Sequence, residues 1–141
     1  MPQIAIATSD QDLLQCFPVL LELRSHLLES EFVTQVRRQA QQGYQVAYLS
    51  DNHAVQSVAG FRLMESLSAG KFVYVDDLIT THTARSQGYG EALFSWLVDY
   101  ARDHGCQSVA LDSGVQRFEA HRFYLRQRMA IVAHHFSLPL S

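Results

Sequence analysis

The sequence has few cysteines, no excess of basic residues and no long apolar run. Its two cysteines, Cys16 and Cys106, could form at most one disulfide bridge, and neither has a second cysteine at metal-ligand spacing. This scarcity favours a reduced, cytoplasmic setting. No stretch reaches the ~18 consecutive apolar residues typical of a membrane-spanning helix, and the N-terminus lacks a secretory pattern. We therefore expect a protein that is neither exported nor embedded in a membrane.

The charge balance argues against nucleic acid as a partner. The formal net charge is −3, whereas broad affinity for nucleic acid needs a basic face that makes many phosphate contacts. Hydrophobic residues make up 48% and charged residues 18% of the chain, a composition typical of a compact fold. With 141 residues and no linker, repeat or low-complexity segment, we expect a single domain over residues 1–141.

Apolar periodicity predicts an alternation of strands and helices. Period-two runs indicate strands at residues 3–8, 44–50, 54–65, 72–80, 108–111 and 130–138. Helical stripes and cap residues indicate helices from residue 9 to 23, with Pro18 inside, and at residues 29–42, 88–104 and 117–128. In the third helix, Leu93, Trp96, Leu97, Tyr100 and Ala101 share one face and are interpreted as core.

The connections between these elements predict an α/β (α+β) fold. Short turns join three successive strands, which implies an antiparallel meander. The next connection passes through a helix, so the strands at 72–80 and 108–111 should be parallel neighbours. We expect a mixed sheet of six to seven strands flanked by four helices, with ligands bound where strands part beside helix N-termini.

One glycine turn stands out between a strand and a helix. Residues 85–90 read Arg-Ser-Gln-Gly-Tyr-Gly. The first amide hydrogens of a helix lack internal partners, and the helix dipole adds positive charge there. Glycine at 88 and 90 lets the backbone approach a diphosphate, and Arg85 adds a full charge. Such a pattern also occurs in a plain turn, and the absence of Gly-Lys-Ser/Thr disfavours Walker-type nucleotide binding.

The order of motifs resembles the GNAT superfamily of acyl-CoA-dependent N-acyltransferases. The loop is followed by helix, strand, Asp112-Ser113-Gly114 and a helix with Ala120-His121-Arg122-Phe123-Tyr124. The resemblance implies the GNAT fold, in which the two parallel strands splay apart, and acetyl-CoA as cosubstrate. It further implies that the loop binds the diphosphate and the strand binds pantetheine, through Arg85, Gln87, Gly88, Tyr89 and Gly90 and through the backbones of Leu78, Ile79 and Thr80.

Two acidic residues are candidates for accepting a proton from the acceptor amine. Asp76 and Asp77 lie in an otherwise apolar strand, where charge is unfavourable unless solvated or functional. Neighbours in a strand point to opposite faces, so one carboxylate at most should reach the acceptor. We favour Asp77 for this role, with Asp76 binding the acceptor or bonding across the sheet. The alternative is that both are solvated near a strand bulge.

The resemblance also assigns residues after the second strand of the parallel pair. Tyr124 matches the family tyrosine that protonates the departing thiolate of coenzyme A. Seven residues earlier the family usually has asparagine, whereas this sequence has Arg117, which could neutralise a coenzyme phosphate or an anionic group on the acceptor. The family's glycine after this helix is replaced by Arg128.

The break between the first two helices is the candidate acceptor region. In the family it often covers the acceptor pocket, which implicates Arg24 and His26; the alternative is a solvated connection. The seven histidines are scattered or adjacent in a strand, so no metal site is expected.

These observations favour an N-acetyltransferase. We expect acetyl transfer from acetyl-CoA to a primary amine of a small molecule, by direct attack in a ternary complex. The alternatives are an acyl-CoA-binding sensor without turnover and a protein or peptide N-acetyltransferase. A C-terminal strand with a free edge is compatible with a homodimer.

Overall fold

The computed structural model describes residues 1–141 and contains five strands, four α-helices and one short 3₁₀ helix, His82–Ala84. The chain forms two compact units, residues 1–110 and residues 111–141. In chain order the elements are β1 (Gln3–Ile6), α1 (Asp10–Leu23), α2 (Glu29–Ala40), β2 (Tyr44–Asp51), β3 (Ala54–Ser66), β4 (Gly70–Thr80), α3 (Tyr89–Asp103), β5 (Ser108–Leu111) and α4 (Phe118–Arg126).

The sheet follows chain order from β1 to β5. Strands β1 to β4 form an antiparallel meander. Strand β5 joins beside β4 after the crossover helix α3, which gives the parallel neighbour expected of a strand-helix-strand unit. The predicted mixed α/β sheet with four helices is confirmed, but the number of strands is five and not six to seven.

The predicted strand at residues 130–138 is wrong. Residues 129–141 form no regular element, and the large apolar side chains there are between 78% and 94% exposed: Ile131, Val132, Phe136, Leu138 and Leu140. Alternation of apolar residues shows only that a segment suits a pleated surface. A strand also needs a partner for its backbone hydrogen bonds, and this segment has none.

Helices α1 and α2 pack on one face of the sheet. Helix α1 begins with a capping box, in which the Ser9 hydroxyl accepts from the Asp12 amide while the Asp12 carboxylate accepts from the Ser9 amide. The buried cluster on this face includes Leu13, Phe17, Phe32, Val46, Val58 and Ile79. Cys16 lies in the same cluster, and burial raises the pKa of its thiol to about 12. It is therefore a core residue and not a nucleophile.

Helix α3 covers the opposite face. Leu93, Leu97 and Ala101 are buried at helical spacing, and the rings of Trp96 and Tyr100 pack edge-on against Phe61 of β3. The interpretation of this stripe as core is confirmed.

The second unit, residues 111–141, contains helix α4. His121 on this helix is 2.8 Å from the carbonyl oxygen of Gly114 through its Nε2 atom. After the helix, Arg128 has a left-handed backbone with φ +68°, and the Met129 amide donates to the Tyr124 carbonyl at 3.1 Å. A left-handed residue closes many helices, and it is usually glycine. Arg128 therefore closes this helix with the conformation that glycine would adopt.

Candidate active site

A β-bulge in β4 positions the two acidic residues. In the β3–β4 ladder Gly60 faces Asp77 whereas Phe61 faces Val75, so Asp76 is an extra residue on β4. Such an insertion breaks the alternation of side chains between the two faces. Asp76 and Asp77 both belong to the lining of one pocket. Their carboxylates bond to Arg62 and Tyr44, which are direct partners across β2 and β3, so the expectation that the two side chains point to opposite faces is wrong. The bulge of the alternative interpretation is present, but the two side chains are not solvated, because they are only 19% and 14% exposed.

Both oxygens of Asp77 are occupied by protein donors. Arg24 donates from Nε to Oδ1 at 3.0 Å, and the hydroxyl of Tyr44 donates to Oδ2 at 2.6 Å. Burial and the nearby Asp77 charge raise the pKa of Tyr44 well above its ordinary value, so this hydroxyl remains a donor. Asp77 is thus held as an acceptor of two hydrogen bonds.

Asp76 has one oxygen paired and one unpaired. Arg62 donates to Oδ2 from Nε at 3.0 Å and from Nη2 at 2.5 Å. Oδ1 is buried and has no hydrogen-bond partner. Burial, opposed by Arg62, raises the pKa of Asp76 above that of an ordinary aspartate. A buried acceptor without a donor is costly, and a raised pKa is the property of a carboxylate that takes up a proton at an active site.

Gly60 on β3 makes the space for this arrangement. A Cβ atom built at this position would lie closer than 3.0 Å to the Tyr44 hydroxyl and to Oδ2 of Asp77. A glycine is required here because the two hydrogen-bonded side chains pass directly over the backbone.

Asp76 and Asp77 line a pocket of about 290 Å³. Its lining comes from α1, the α1–α2 connection, α2, β2 and β4, and consists of Leu20, Arg24, His26, Leu27, Phe32, Gln35, Val36, Gln39, Tyr44, Asp76 and Asp77. Arg24 is the C-cap residue of α1, and its Nη2 also donates to the carbonyl oxygen of Asp76 at 2.9 Å. This side chain ties the end of α1 to the bulge.

The pocket brings together four residues that were singled out in the sequence, Arg24, His26, Asp76 and Asp77. Sequence analysis missed Tyr44 and Arg62. Both are ordinary strand residues whose roles arise from pairing across the sheet, so no local pattern marks them. Gly60 did carry a signal, because an isolated glycine within a strand pattern indicates a bulge or a close backbone approach.

The glycine loop has the geometry of an anion site. Ser86 and Gly88 have left-handed backbones, with φ +67° and +82°, and α3 begins at Tyr89 with no side-chain cap. The first intrahelical hydrogen bond of α3 runs from the Ala92 amide to the Gly88 carbonyl. The amides of residues 89–91 therefore have no partner within the helix. Arg85 and Gln87 are exposed beside them. Uncapped amides and an arginine fit the diphosphate of a coenzyme.

Tyr89 contributes to this loop through its backbone alone. Its side chain is buried, and its hydroxyl donates to Oδ2 of Asp51 at 2.6 Å. This anchor fixes the start of α3 against the end of β2.

The end of β4 extends past its neighbour β5. The Gln107 amide donates to the Lys71 carbonyl at 2.7 Å, so β5 begins beside the first residues of β4. Strand β5 has four residues and β4 has eleven. A parallel strand in this register ends well before Leu78, Ile79 and Thr80, which pair with β3 on their other side.

Arg117 and Tyr124 belong to the second unit. Arg117 is the N-cap residue of α4, and Tyr124 lies within that helix. Throughout the chain, no group of three or more His, Cys, Asp or Glu residues is arranged to hold a metal ion. None of the helices is both long enough and apolar enough to cross a bilayer.

Comparison with known proteins gives matches over most of the chain. Residues 10–128 match the model of the acetyltransferase (GNAT) family. An uncharacterized N-acetyltransferase of Bacillus subtilis (strain 168), YhdJ, is 34% identical over 118 residues, which are 83% of each chain. An aminoalkylphosphonate N-acetyltransferase of Salmonella typhimurium (strain LT2) is 34% identical over 53 residues, 38% of this chain and 34% of that protein.

Solved structures share the fold. The ribosomal-protein-alanine N-acetyltransferase of Brucella melitensis biovar Abortus 2308 superimposes with a TM-score of 0.84. It is 14% identical, with 99% of this chain and 100% of that chain covered. At this identity the likeness concerns the fold alone.

Proposed function

Because the chain belongs to the GNAT family of acetyltransferases and is therefore an acyltransferase, we propose that it acetylates a primary amine of a small molecule with acetyl-CoA. Transfer proceeds by direct attack in a ternary complex. The observation that carries this proposal is the pocket beside β4 that Asp76 and Asp77 line together.

The glycine loop is the proposed site for the coenzyme diphosphate. The amides from Gln87 to Gly90 and the charge of Arg85 would hold it, and the backbones of Leu78, Ile79 and Thr80 would bind the pantetheine arm. When bound, acetyl-CoA supplies the acetyl group as a thioester. Arg117 is proposed as a further phosphate contact on the basis of the family resemblance.

Asp76 is the proposed proton acceptor, in preference to Asp77. An amine with a lysine-like pKa near 10.4 is almost fully protonated at neutral pH, and freeing it costs roughly 4–5 kcal/mol. A carboxylate lowers this cost by taking the proton as the nitrogen attacks. Oδ1 of Asp76 has no other donor, whereas both oxygens of Asp77 already accept hydrogen bonds.

Asp77 is proposed to position its neighbours. It connects Arg24 to Tyr44, and the guanidinium of Arg62 lies 5.5 Å from the centre of the Tyr44 ring. Arg62 in turn pairs with Asp76. Asp77 thus fixes one end of a chain of contacts that ends at the proposed base.

Tyr124 is proposed as the acid that protonates the sulfur as the carbon–sulfur bond breaks. The departing thiol has a pKa near 8–9, so a phenol can protonate its thiolate during departure. This assignment is based on the match to the family's Ala-x-x-x-Tyr helix.

The size of the pocket supports a small acceptor. Its volume of about 290 Å³ lies at the lower limit of ligand pockets, roughly 300–1,000 Å³. An amine of a few carbon atoms would fit within it.

A thiol-release screen tests the proposal. Wild-type protein with acetyl-CoA should release free thiol in the presence of some member of a panel of amino acids, aminophosphonates, amino sugars, polyamines and peptide N-termini. Release with small amines supports the proposal, and mass spectrometry should identify the N-acetylated product. Release with peptides alone would favour a protein N-acetyltransferase, and no release despite acetyl-CoA binding would favour a sensor.

We also propose a cytoplasmic homodimer. Cys16 and Cys106 are both free thiols, which supports a reducing compartment.

The exposed apolar side chains between residues 131 and 140 support a dimer, because monomers rarely leave so many large apolar groups in water.

A further inference from the structure

The two walls of the pocket have opposite hydrogen-bonding character. Asp76 and Asp77 form the β4 wall, whereas the α1–α2 wall includes the polar residues Arg24, His26, Gln35 and Gln39. On α2, Nε2 of Gln35 donates to Oε1 of Gln39 at 3.0 Å. This bond uses the acceptor of the Gln39 amide and leaves its nitrogen as a donor. The second wall therefore offers N–H donors from Arg24 and Gln39, next to the oxygen of Gln35 as an acceptor.

Arg24 has donor capacity beyond its contacts with β4. Its Nε bonds to Asp77 and its Nη2 to the Asp76 carbonyl, but Nη1 takes part in neither bond. These two bonds fix the plane of the guanidinium, and the side chain remains 44% exposed. A guanidinium held in this way offers N–H groups suited to a carboxylate or phosphonate.

The charges of Asp76, Asp77, Arg24 and Arg62 balance one another, which favours a ligand with no net charge. Two aspartates are matched by two arginines, Arg24 paired with Asp77 and Arg62 paired with Asp76. These side chains are largely shielded from water, except Arg24. A ligand carrying only positive charge would leave an excess in this environment, whereas a zwitterion would preserve the balance.

We propose that the acceptor is a small zwitterionic amine whose anionic group binds Arg24, His26 and Gln39 while its amine lies on the side of the pocket formed by Asp76 and Asp77. This inference rests on the proposed acetyl transfer and defines its substrate class. The pocket volume of about 290 Å³ suits a spacer of a few atoms between the two charged groups.

The test compares amines that differ only in the anionic group. The pairs are alanine against alaninol, β-alanine against aminopropanol, and aminoethylphosphonate against ethanolamine, each assayed by thiol release from acetyl-CoA. In at least one pair the anionic member should have a kcat/KM at least about tenfold higher, equivalent to ~1.4 kcal/mol of recognition. Equal or better use of the alcohol in every pair overturns the inference and leaves acetyl transfer intact.

Single substitutions should show which residues bind the anionic group of the acceptor. Arg24→Gln should raise KM for the preferred anionic amine about tenfold or more and change KM for its alcohol by less than about threefold. His26→Gln, at an exposed position, should show the same selectivity more weakly. This variant leaves intact the bonds from Arg24 to β4, so its effect cannot come from loosening the end of α1. Arg37→Gln is the control, since this exposed arginine pairs with Asp10 outside the pocket.

The outcomes separate the two proposals. Equal losses on both members of a pair in Arg24→Gln and His26→Gln would make these residues structural and overturn the recognition. Thiol release by no amine, with acetyl-CoA still bound, would overturn the proposed function and the inference with it.

Discussion

Asp76 is expected to support catalysis as a proton acceptor while lowering the stability of the fold at neutral pH. Because burial raises its pKa, the native state holds its proton more tightly than the unfolded state does. The free energy of unfolding therefore falls as pH rises from the unfolded pKa through the native pKa, and ionised Asp76 is a net cost at pH 7. An active-site residue often has this character.

Asp76→Asn should lose activity without losing stability. We expect kcat/KM to fall roughly 10²-fold or more, the usual contribution of a general base. The melting temperature at pH 7 should change little, because removal of the buried Asp76 charge is offset by the loss of the counter-charge of Arg62, to which the asparagine oxygen can still offer an acceptor. Thiol-release kinetics and thermal denaturation at pH 7 and pH 3 measure both effects. Activity of Asp76→Asn close to that of the wild type would contradict the assignment.

Tyr124→Phe separates binding from chemistry. If the phenol protonates the departing thiolate, kcat should fall by ~10²–10⁴-fold, while the dissociation constant of acetyl-CoA from calorimetry stays within about twofold. Similar kcat values for variant and wild type would remove Tyr124 from the mechanism.

Among the elements, β3 and β4 contain the feature that determines the site, the bulge opposite Gly60. Gly60→Ala should destabilise the protein by about 1–3 kcal/mol, the usual range for an overpacked interior, because its Cβ would collide with Tyr44 and Asp77. Denaturant unfolding measures the loss. Adding Tyr44→Phe removes one of the colliding atoms, so the double variant should be more stable than the sum of the single changes indicates. Strict additivity would show that the collision is not the cause.

At the end of helix α4 we predict a substitution that stabilises the protein. Arg128 has φ +68°, a conformation that costs a non-glycine residue of order 1 kcal/mol or more. Arg128→Gly should therefore slow amide hydrogen exchange in α4, and Arg126→Gly, within the helix, should accelerate it as the control. Faster exchange in Arg128→Gly would show that the arginine side chain stabilises the turn.

Local patterns predicted the helices and the meander well because caps, turns and apolar periodicity are encoded within short stretches. The uncapped start of α3 is also local, since Gly88 marks it. The arrangement of Asp76 and Asp77 could not be predicted in this way. It depends on a register shift against β3 and on Tyr44 and Arg62, which are remote in sequence. The error at residues 130–138 has the same origin, because a partner strand is a tertiary property.

At the scale of the whole molecule, the apolar side chains after residue 130 bear on assembly. If a second copy covers them, analytical ultracentrifugation should give the mass of a dimer, and Val132→Asp with Phe136→Asp should shift it to the monomer. Leu67→Asp is the control, since Leu67 is an exposed turn residue of the first unit. A wild-type protein that sediments as a monomer at all accessible concentrations would contradict the proposed dimer.

The most direct test of the central claim is thiol release from acetyl-CoA by wild-type protein and Asp76→Asn, with and without the amine panel, alongside calorimetry of acetyl-CoA binding. We predict release that requires a small amine, is reduced roughly 10²-fold or more in the variant, and is accompanied by unchanged acetyl-CoA affinity in both proteins. Amine-independent behaviour of the wild type, or full activity of Asp76→Asn, would contradict the account.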